Sequence, residues 1–90
     1  MNEALPLERF NYPDDNSHVG RVKATVYCMM PPWNDALFVR VSTNFKLRET
    51  LVFKCDDAGE VLDWTELEGI RDVIPHDEMI MSIGYQIRNP

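Results

Sequence analysis

Residues 49–64, ETLVFKCDDAGEVLDW, decide the fold of this chain. Leu51, Phe53 and Cys55 alternate with side chains that point the other way, which is the period-two pattern of a strand. The letters DDAG then place aspartate and glycine at turn-forming positions, and EVLDW returns along a second strand. The turn is short enough for a type I turn with a glycine bulge. The stretch therefore predicts an antiparallel hairpin.

Two more strands are predicted on the N-terminal side of this hairpin. Residues 21–28 alternate between an apolar face, which is expected to point to the core, and a face that carries Arg21, Lys23, Thr25 and Tyr27. Pro31 and Pro32 are expected to end this strand, because neither has an N–H group for the ladder. Residues 35–45, DALFVRVSTNF, alternate in the same way and predict the next strand.

Two segments near the C-terminus fit more than one structure. In residues 65–74, TELEGIRDVI, Thr65 could cap a short helical turn. Residues 78–88, EMIMSIGYQIR, alternate as a strand does, although Ile80, Ile83 and Ile87 also fall at helical spacing. Gly84 in the middle would cost a helix about 1 kcal/mol relative to alanine. A strand is therefore predicted for residues 78–88, with a helix as the alternative.

The pattern as a whole predicts an α+β fold. We expect a mostly antiparallel sheet of about five strands with at most one or two short helices, and an all-β barrel or sandwich is the alternative. Residues 1–90 are expected to form a single small globular domain, because a chain this short cannot support two cores. Residues 1–18 contain Pro6 and Pro13 and have no sustained period, so they are predicted to be an irregular N-terminal lead-in.

The two cysteines, Cys28 and Cys55, are expected to be reduced, because neither belongs to a CxxC motif. In an up-and-down strand order their strands flank a third one and lie roughly 9.6 Å apart, which exceeds the reach of a disulfide. Direct pairing of the two strands would allow the bond to form. The number of free thiols therefore reports on the strand order.

Composition favours an intracellular globular protein. Apolar residues make up 44% of the chain, which is enough for one core. There is no apolar run long enough to span a bilayer, and the first ten residues lack the basic start and apolar stretch of a secretory signal. The expected location is the cytoplasm.

The net charge of −6 is unevenly distributed along the chain. Residues 19–54 carry six basic and two acidic side chains, whereas residues 55–90 carry nine acidic and two basic ones. An open sheet has edges that need cover, and patches of both signs can attract each other. The sequence is therefore compatible with a homodimer.

Catalytic, cofactor-binding and metal sites are not predicted. His18 and His76 lie beside carboxylates that could hold a histidine as a base, but such neighbours are common in acidic loops. The candidate metal ligands are these histidines with Asp14, Asp15, Asp77 and Glu78. The two histidines are not at the i, i+4 spacing of a helical metal site, and the four glycines form no phosphate-binding loop. We expect a non-enzymatic protein without a cofactor.

Nucleic-acid binding is the alternative function. If the three predicted strands share a sheet, four cations and several aromatic side chains fall on the face opposite the core. The cations are Arg21, Lys23, Arg40 and Lys54. Cations interleaved with aromatic rings are typical of surfaces that hold single-stranded RNA. The negative net charge and the missing RNP-type motif count against this function.

Protein binding is the leading function. Acidic side chains could occupy a basic groove on a partner, and an exposed CMMPPW stretch at residues 28–33 could add an apolar anchor. The predicted contact residues are Asp56, Asp57, Glu60, Asp63, Glu66, Glu68, Met29, Met30 and Trp33. Alternatively, Trp33 plugs the open end of the core, with Trp64 nearby. The size and charge fit an accessory, regulatory or inhibitory factor of a bacterium or its phage.

Overall fold

A computed structural model describes residues 2–12 and 22–88. The elements are β1 Glu3–Tyr12, β2 Val22–Trp33, β3 Ala36–Asn44, β4 Glu49–Cys55, β5 Val61–Ile70, α1 His76–Ser82 and β6 Gln86–Ile87. The six strands form one sheet in the order β5-β4-β3-β2-β1-β6, and β1 with β6 is its parallel pair. The prediction of a mostly antiparallel sheet with few short helices is confirmed, with one strand more than expected.

The hairpin predicted from residues 49–64 is β4 and β5 with their turn. Gly59 N donates to the Asp56 carbonyl at 3.0 Å, and Asp56 N donates to the Glu60 carbonyl at 2.9 Å. Gly59 has a φ of 86°, which places the glycine at the left-handed position that a bulge after a type I turn requires. The predicted turn is therefore confirmed.

Strand β2 does not end at the prolines as expected. It continues to Trp33, and its register with β3 is interrupted between Cys28 and Trp33 before resuming with Trp33 opposite Ala36. Pro31 and Pro32 lie inside this interruption, where no N–H is needed for the ladder with β3. The turn that follows is made by two residues with positive φ, as a type I′ hairpin requires.

The prediction of an irregular lead-in over residues 1–18 is wrong for its first part. Strand β1 pairs with β2 from Glu3 opposite Met30 to Tyr12 opposite Val22. The register shifts between Pro6 and Glu8, so the alternation of side chains is reset in the middle of the strand. That shift explains why no sustained period is visible in the sequence. Residues 13–18 lie outside the described part of the chain.

The prediction of a strand over residues 78–88 is also wrong. Helix α1 covers His76–Ser82, and only the short β6 follows. His76, Met79 and Ile80 are its buried residues, at the spacing of one helical face. Gly84 lies beyond the helix end with a φ of 96°, so it does not weaken the helix interior. At seven residues, α1 is too short to cross a bilayer, and no other helix is present in the described ranges.

Strand β5 resolves the ambiguity of residues 65–74. Thr65 lies inside β5, which extends to Ile70, so it does not cap a helical turn. Pairing with β4 is maintained up to Thr50 opposite Ile70. The backbone partners that β4 offers therefore outweigh the weak local preference for a turn.

The core lies between α1 and one face of the sheet. Its buried residues are Ala4, Tyr27, Met29, Ala36, Val39, Val41, Val52, Met79, Ile80 and Tyr85. Tyr27 faces α1 and donates a hydrogen bond from its hydroxyl to Asp77, although the sequence predicts that Tyr27 points away from the core. Ala24 and Val26, on the opposite face of β2, are buried as well. Alternation therefore identifies the two faces of this strand but not which one meets the helix.

Cys28 and Cys55 are at the same level of the sheet, because both are paired with Phe38 of β3. Two strand spacings, roughly 9.6 Å, separate their strands. Both cysteines are free thiols. Of the two strand orders that the sequence left open, the structure has the up-and-down one, with β3 between β2 and β4.

Burial of Cys55 predicts a pH dependence of stability. Desolvation, with a smaller contribution from the nearby Asp56 charge, raises the pKa of the Cys55 thiol from 9.0 to about 11. The folded state then holds this proton more tightly than the unfolded state, so stability is lost as the pH rises from 9.0 through about 11. Urea unfolding of a Cys55→Ala variant is expected to show a weaker alkaline loss than that of Cys28→Ala. Identical alkaline losses in the two variants would contradict the prediction.

Candidate protein-interaction surface

The most exposed apolar side chains of the sheet lie on its edge strand β5. The side chain of Trp64 is 70% exposed and that of Leu62 is 61% exposed. Both belong to a strand that has a neighbour, β4, on one side only in the described sheet. Large apolar side chains that lie close in one strand and are exposed to this degree are typical of a surface that another molecule covers.

Two bulges in β5 accompany this exposure, one at Leu62 between the pairs that Val61 and Asp63 make with β4, and a longer one after Asp63. Asp63 is opposite Lys54 and Glu68 is opposite Val52, so residues 64–67 of β5 lie against Phe53 alone. The extra residues push the strand outward, as bulges do. The Trp64 ring retains one contact with the sheet, an edge-on packing against the Phe53 ring with centroids 5.3 Å apart. The rest of the indole faces solvent.

Four exposed carboxylates lie close to the two apolar residues along the chain. Asp57, Glu60, Asp63 and Glu66 are all exposed, in β5 or in the turn before it. We call these four residues, with Leu62 and Trp64, the β5 surface. The structure therefore brings together four of the predicted acidic contact residues. Of the other two, Asp56 holds the turn by accepting from Ala58 N and Glu60 N, and Glu68 accepts from Gly69 N.

The charge on Asp63 is stabilised locally. Its Oδ1 accepts a hydrogen bond from Thr65 N at 2.9 Å. That backbone bond, followed by a side-chain bond to Thr65, lowers the pKa of the Asp63 carboxyl below its usual value of 3.8. The carboxylate is therefore ionised at neutral pH, and the β5 surface presents a negative charge close to the exposed indole.

The backbone of β5 is partly protected against another strand. The N–H groups of Thr65 and Gly69 donate to the side chains of Asp63 and Glu68, at 2.9 Å and 3.0 Å. Bulges and charged side chains are common devices that stop a sheet edge from pairing with another chain. A partner on this surface is therefore better held by side-chain contacts than by an added strand.

The sequence pattern CMMPPW contributes little exposed surface. Met29 is fully buried in the core, so it is unavailable to a partner, and Met30 is half-buried. Trp33 is partly buried and packs against the core cluster. The Tyr85 hydroxyl donates to the Pro31 carbonyl at 2.6 Å and ties the stretch to the chain beyond α1. These contacts favour the interpretation in which Trp33 plugs the end of the core.

The prediction that four cations share one face is wrong for the three that are described. Lys23 is opposite Thr43 and Lys54 is opposite Val39, so these two lie on the face that α1 covers. Arg40 is opposite Val26 and therefore lies on the other face. Arg21 lies outside the described residues. The aromatic side chain expected beside them, Tyr27, is buried.

The contacts of His76 indicate a structural role. Its Nδ1 lies 2.7 Å from Thr25 Oγ1 and its Nε2 lies 2.7 Å from Thr43 Oγ1, and the ring is buried. His18, Asp14 and Asp15, the other candidate ligands, lie outside the described residues. Within residues 2–12 and 22–88, three or more potential metal ligands do not gather at one point.

The sequence prediction missed Leu62 and Trp64. A weak signal was present, because carboxylates alternate with these two apolar residues in residues 60–64, EVLDW. A strand of that composition is compatible with an apolar face packed on the core, so exposure could not be read from it. Comparisons of the chain with protein-family models, curated proteins and solved structures find no match. The function is therefore argued from the surface itself.

Proposed function

We propose that this protein works by binding another protein through the β5 surface. The observation that carries the proposal is the exposure of Trp64, 70%, beside Leu62, 61%. Covering these side chains with a partner would contribute about 25 cal/mol of binding free energy for each Å² of apolar area removed from water. Tryptophan is also among the residues that most often dominate binding energy at interfaces.

The surroundings of Trp64 indicate the chemistry of the partner. Four exposed carboxylates next to an apolar pair favour a surface that combines basic side chains with an apolar pocket. The opposite charges would speed association, and the indole would supply most of the affinity. A cytoplasmic accessory, regulatory or inhibitory factor of a bacterium or its phage, acting by covering a partner, fits this arrangement.

Affinity capture with variants tests the proposal. A tagged protein carrying Trp64→Ala is expected to lose its partner relative to the unmodified protein, with affinity falling about thirtyfold if Trp64 is a hot spot worth about 2 kcal/mol. Met81→Ala is the matched control, because Met81 is also an exposed large apolar residue but lies on α1. Equal capture by the two variants, both with unchanged melting temperatures, would contradict the proposal.

A further inference from the structure

A second exposed apolar pair lies in the turn between β3 and β4. The side chain of Phe45 is 42% exposed and that of Leu47 is 61% exposed, and they alternate with Lys46 and Arg48. We call these four residues the basic turn. The Asn44 side chain accepts from the N–H groups of Lys46 and Leu47, each at 3.0 Å, so the turn has a defined shape.

The charges of the basic turn are accessible. Lys46 and Arg48 are both exposed. Arg48 lies 3.7 Å from Asp72, but both side chains are more than half exposed, at 71% and 57%. An ion pair so open to water contributes little to stability. A new anionic partner could therefore compete for the guanidinium.

The basic turn and the Asp57 and Glu60 end of the β5 surface lie at opposite ends of β4. The basic turn precedes β4, whereas the turn with Asp57 and Glu60 follows it. The residues of β4 between the two ends span roughly 20 Å. The basic turn therefore cannot reach Asp57 and Glu60 of its own chain, and a contact with that end of the β5 surface has to involve two copies.

The two surfaces are complementary in charge and in apolar content. The basic turn combines two apolar side chains with two cations, and the β5 surface combines two apolar side chains with four carboxylates. A symmetric contact between two β5 surfaces would instead bring carboxylates together.

We propose that the basic turn of one copy docks on the β5 surface of a second copy. This inference rests on the proposed function, because it names a second copy of the chain as an occupant of that surface. The contact is heterologous, since different patches meet, so repeated contacts generate a ring or an open chain instead of a simple two-fold dimer. Contacts between one turn and one strand are small, and the association is accordingly weak and concentration-dependent.

Sedimentation equilibrium with charge-reversed variants tests this contact. The unmodified protein is expected to increase in average mass over a roughly hundredfold concentration range that reaches the millimolar region, and to do so less at high salt. The double variant Lys46→Glu, Arg48→Glu and the double variant Asp57→Lys, Glu60→Lys should each stay monomeric. In the first variant both surfaces are acidic, and in the second the β5 surface carries two cations and two carboxylates, so its net attraction for the basic turn is removed.

A mixture of the two double variants is the decisive sample. The unmodified basic turn of the second variant can dock on the unmodified β5 surface of the first, so the mass is expected to rise again. An unmodified protein that stays monomeric at low salt, or a mixture that stays monomeric, would overturn the inference. Capture of a different partner through Trp64 would survive that result, whereas self-association unaffected by Trp64→Ala would contradict the proposed surface itself.

Discussion

Replacing His76 with alanine is expected to lower the free energy of unfolding by about 3 kcal/mol. The imidazole is buried and bridges two strands, because Nδ1 contacts Thr25 Oγ1 on β2 and Nε2 contacts Thr43 Oγ1 on β3. Alanine would leave a cavity and two buried hydroxyls that each lose a partner. Either effect alone destabilises a fold.

The bridge extends beyond the histidine. Thr43 Oγ1 lies 3.4 Å from Thr50 Oγ1, and Thr50 Oγ1 donates to the Asp72 carbonyl at 2.9 Å. The polar side chains therefore join β2, β3 and β4 to the segment that leads into α1. Loss of His76 is expected to loosen the start of α1 along with the strand contacts.

Urea unfolding followed by circular dichroism measures this effect. Glu78→Ala is the matched control, because Glu78 is in the first turn of the same helix but is exposed. Its free energy of unfolding is expected to stay within about 0.5 kcal/mol of that of the unmodified protein. If His76→Ala and Glu78→Ala unfold at the same urea concentration, the imidazole does not hold the helix on the sheet.

Replacing Ile80 with alanine is expected to cost about 2 to 5 kcal/mol. Ile80 is fully buried in the core between α1 and the sheet. A helix of seven residues is not stable in isolation, so α1 depends on this packing. Removal of the side chain would also weaken the connection to β6, since Tyr85 N donates to the Ile80 carbonyl at 3.4 Å.

Hydrogen exchange localises the damage from Ile80→Ala. Gln86 N donates to the Asn2 carbonyl and Arg88 N donates to the Ala4 carbonyl, both at 2.9 Å, and these amides are expected to lose protection first. Met81→Ala is the control, because Met81 is the exposed neighbour on the same helix. Equal destabilisation by the two variants would show that α1 is not anchored through its buried face.

The sequence predicts the part of the fold that depends on neighbouring residues. The β4–β5 hairpin follows from alternation around Leu51 and Phe53 together with a turn that ends in glycine, because turn geometry sets the register of the strands beside it. The strand order of β2, β3 and β4 was left open by the sequence, and the structure places β3 between the other two. The acidic rim of the β5 surface could be predicted for the same reason, since its residues are close in the chain.

The remaining features depend on residues far apart in the chain. Residues 78–88 satisfy both a strand and a helix pattern, and burial of Met79 and Ile80 against the sheet selects the helix. The segment that forms β1 is a strand because it pairs with β2, although its own alternation is interrupted after Pro6.

The interaction surface likewise depends partly on neighbouring residues and partly on residues far apart in the chain. Alternation in the sequence determined which side chains of a strand share a face, because successive side chains point to opposite sides. Tertiary structure decided which of those faces is covered. Trp33 packs against the core cluster, whereas Trp64 is exposed, because the bulge opposite Phe53 carries the indole away from the sheet. The physical reason is that burial is set by contacts with distant residues, and a local pattern contains no information about them.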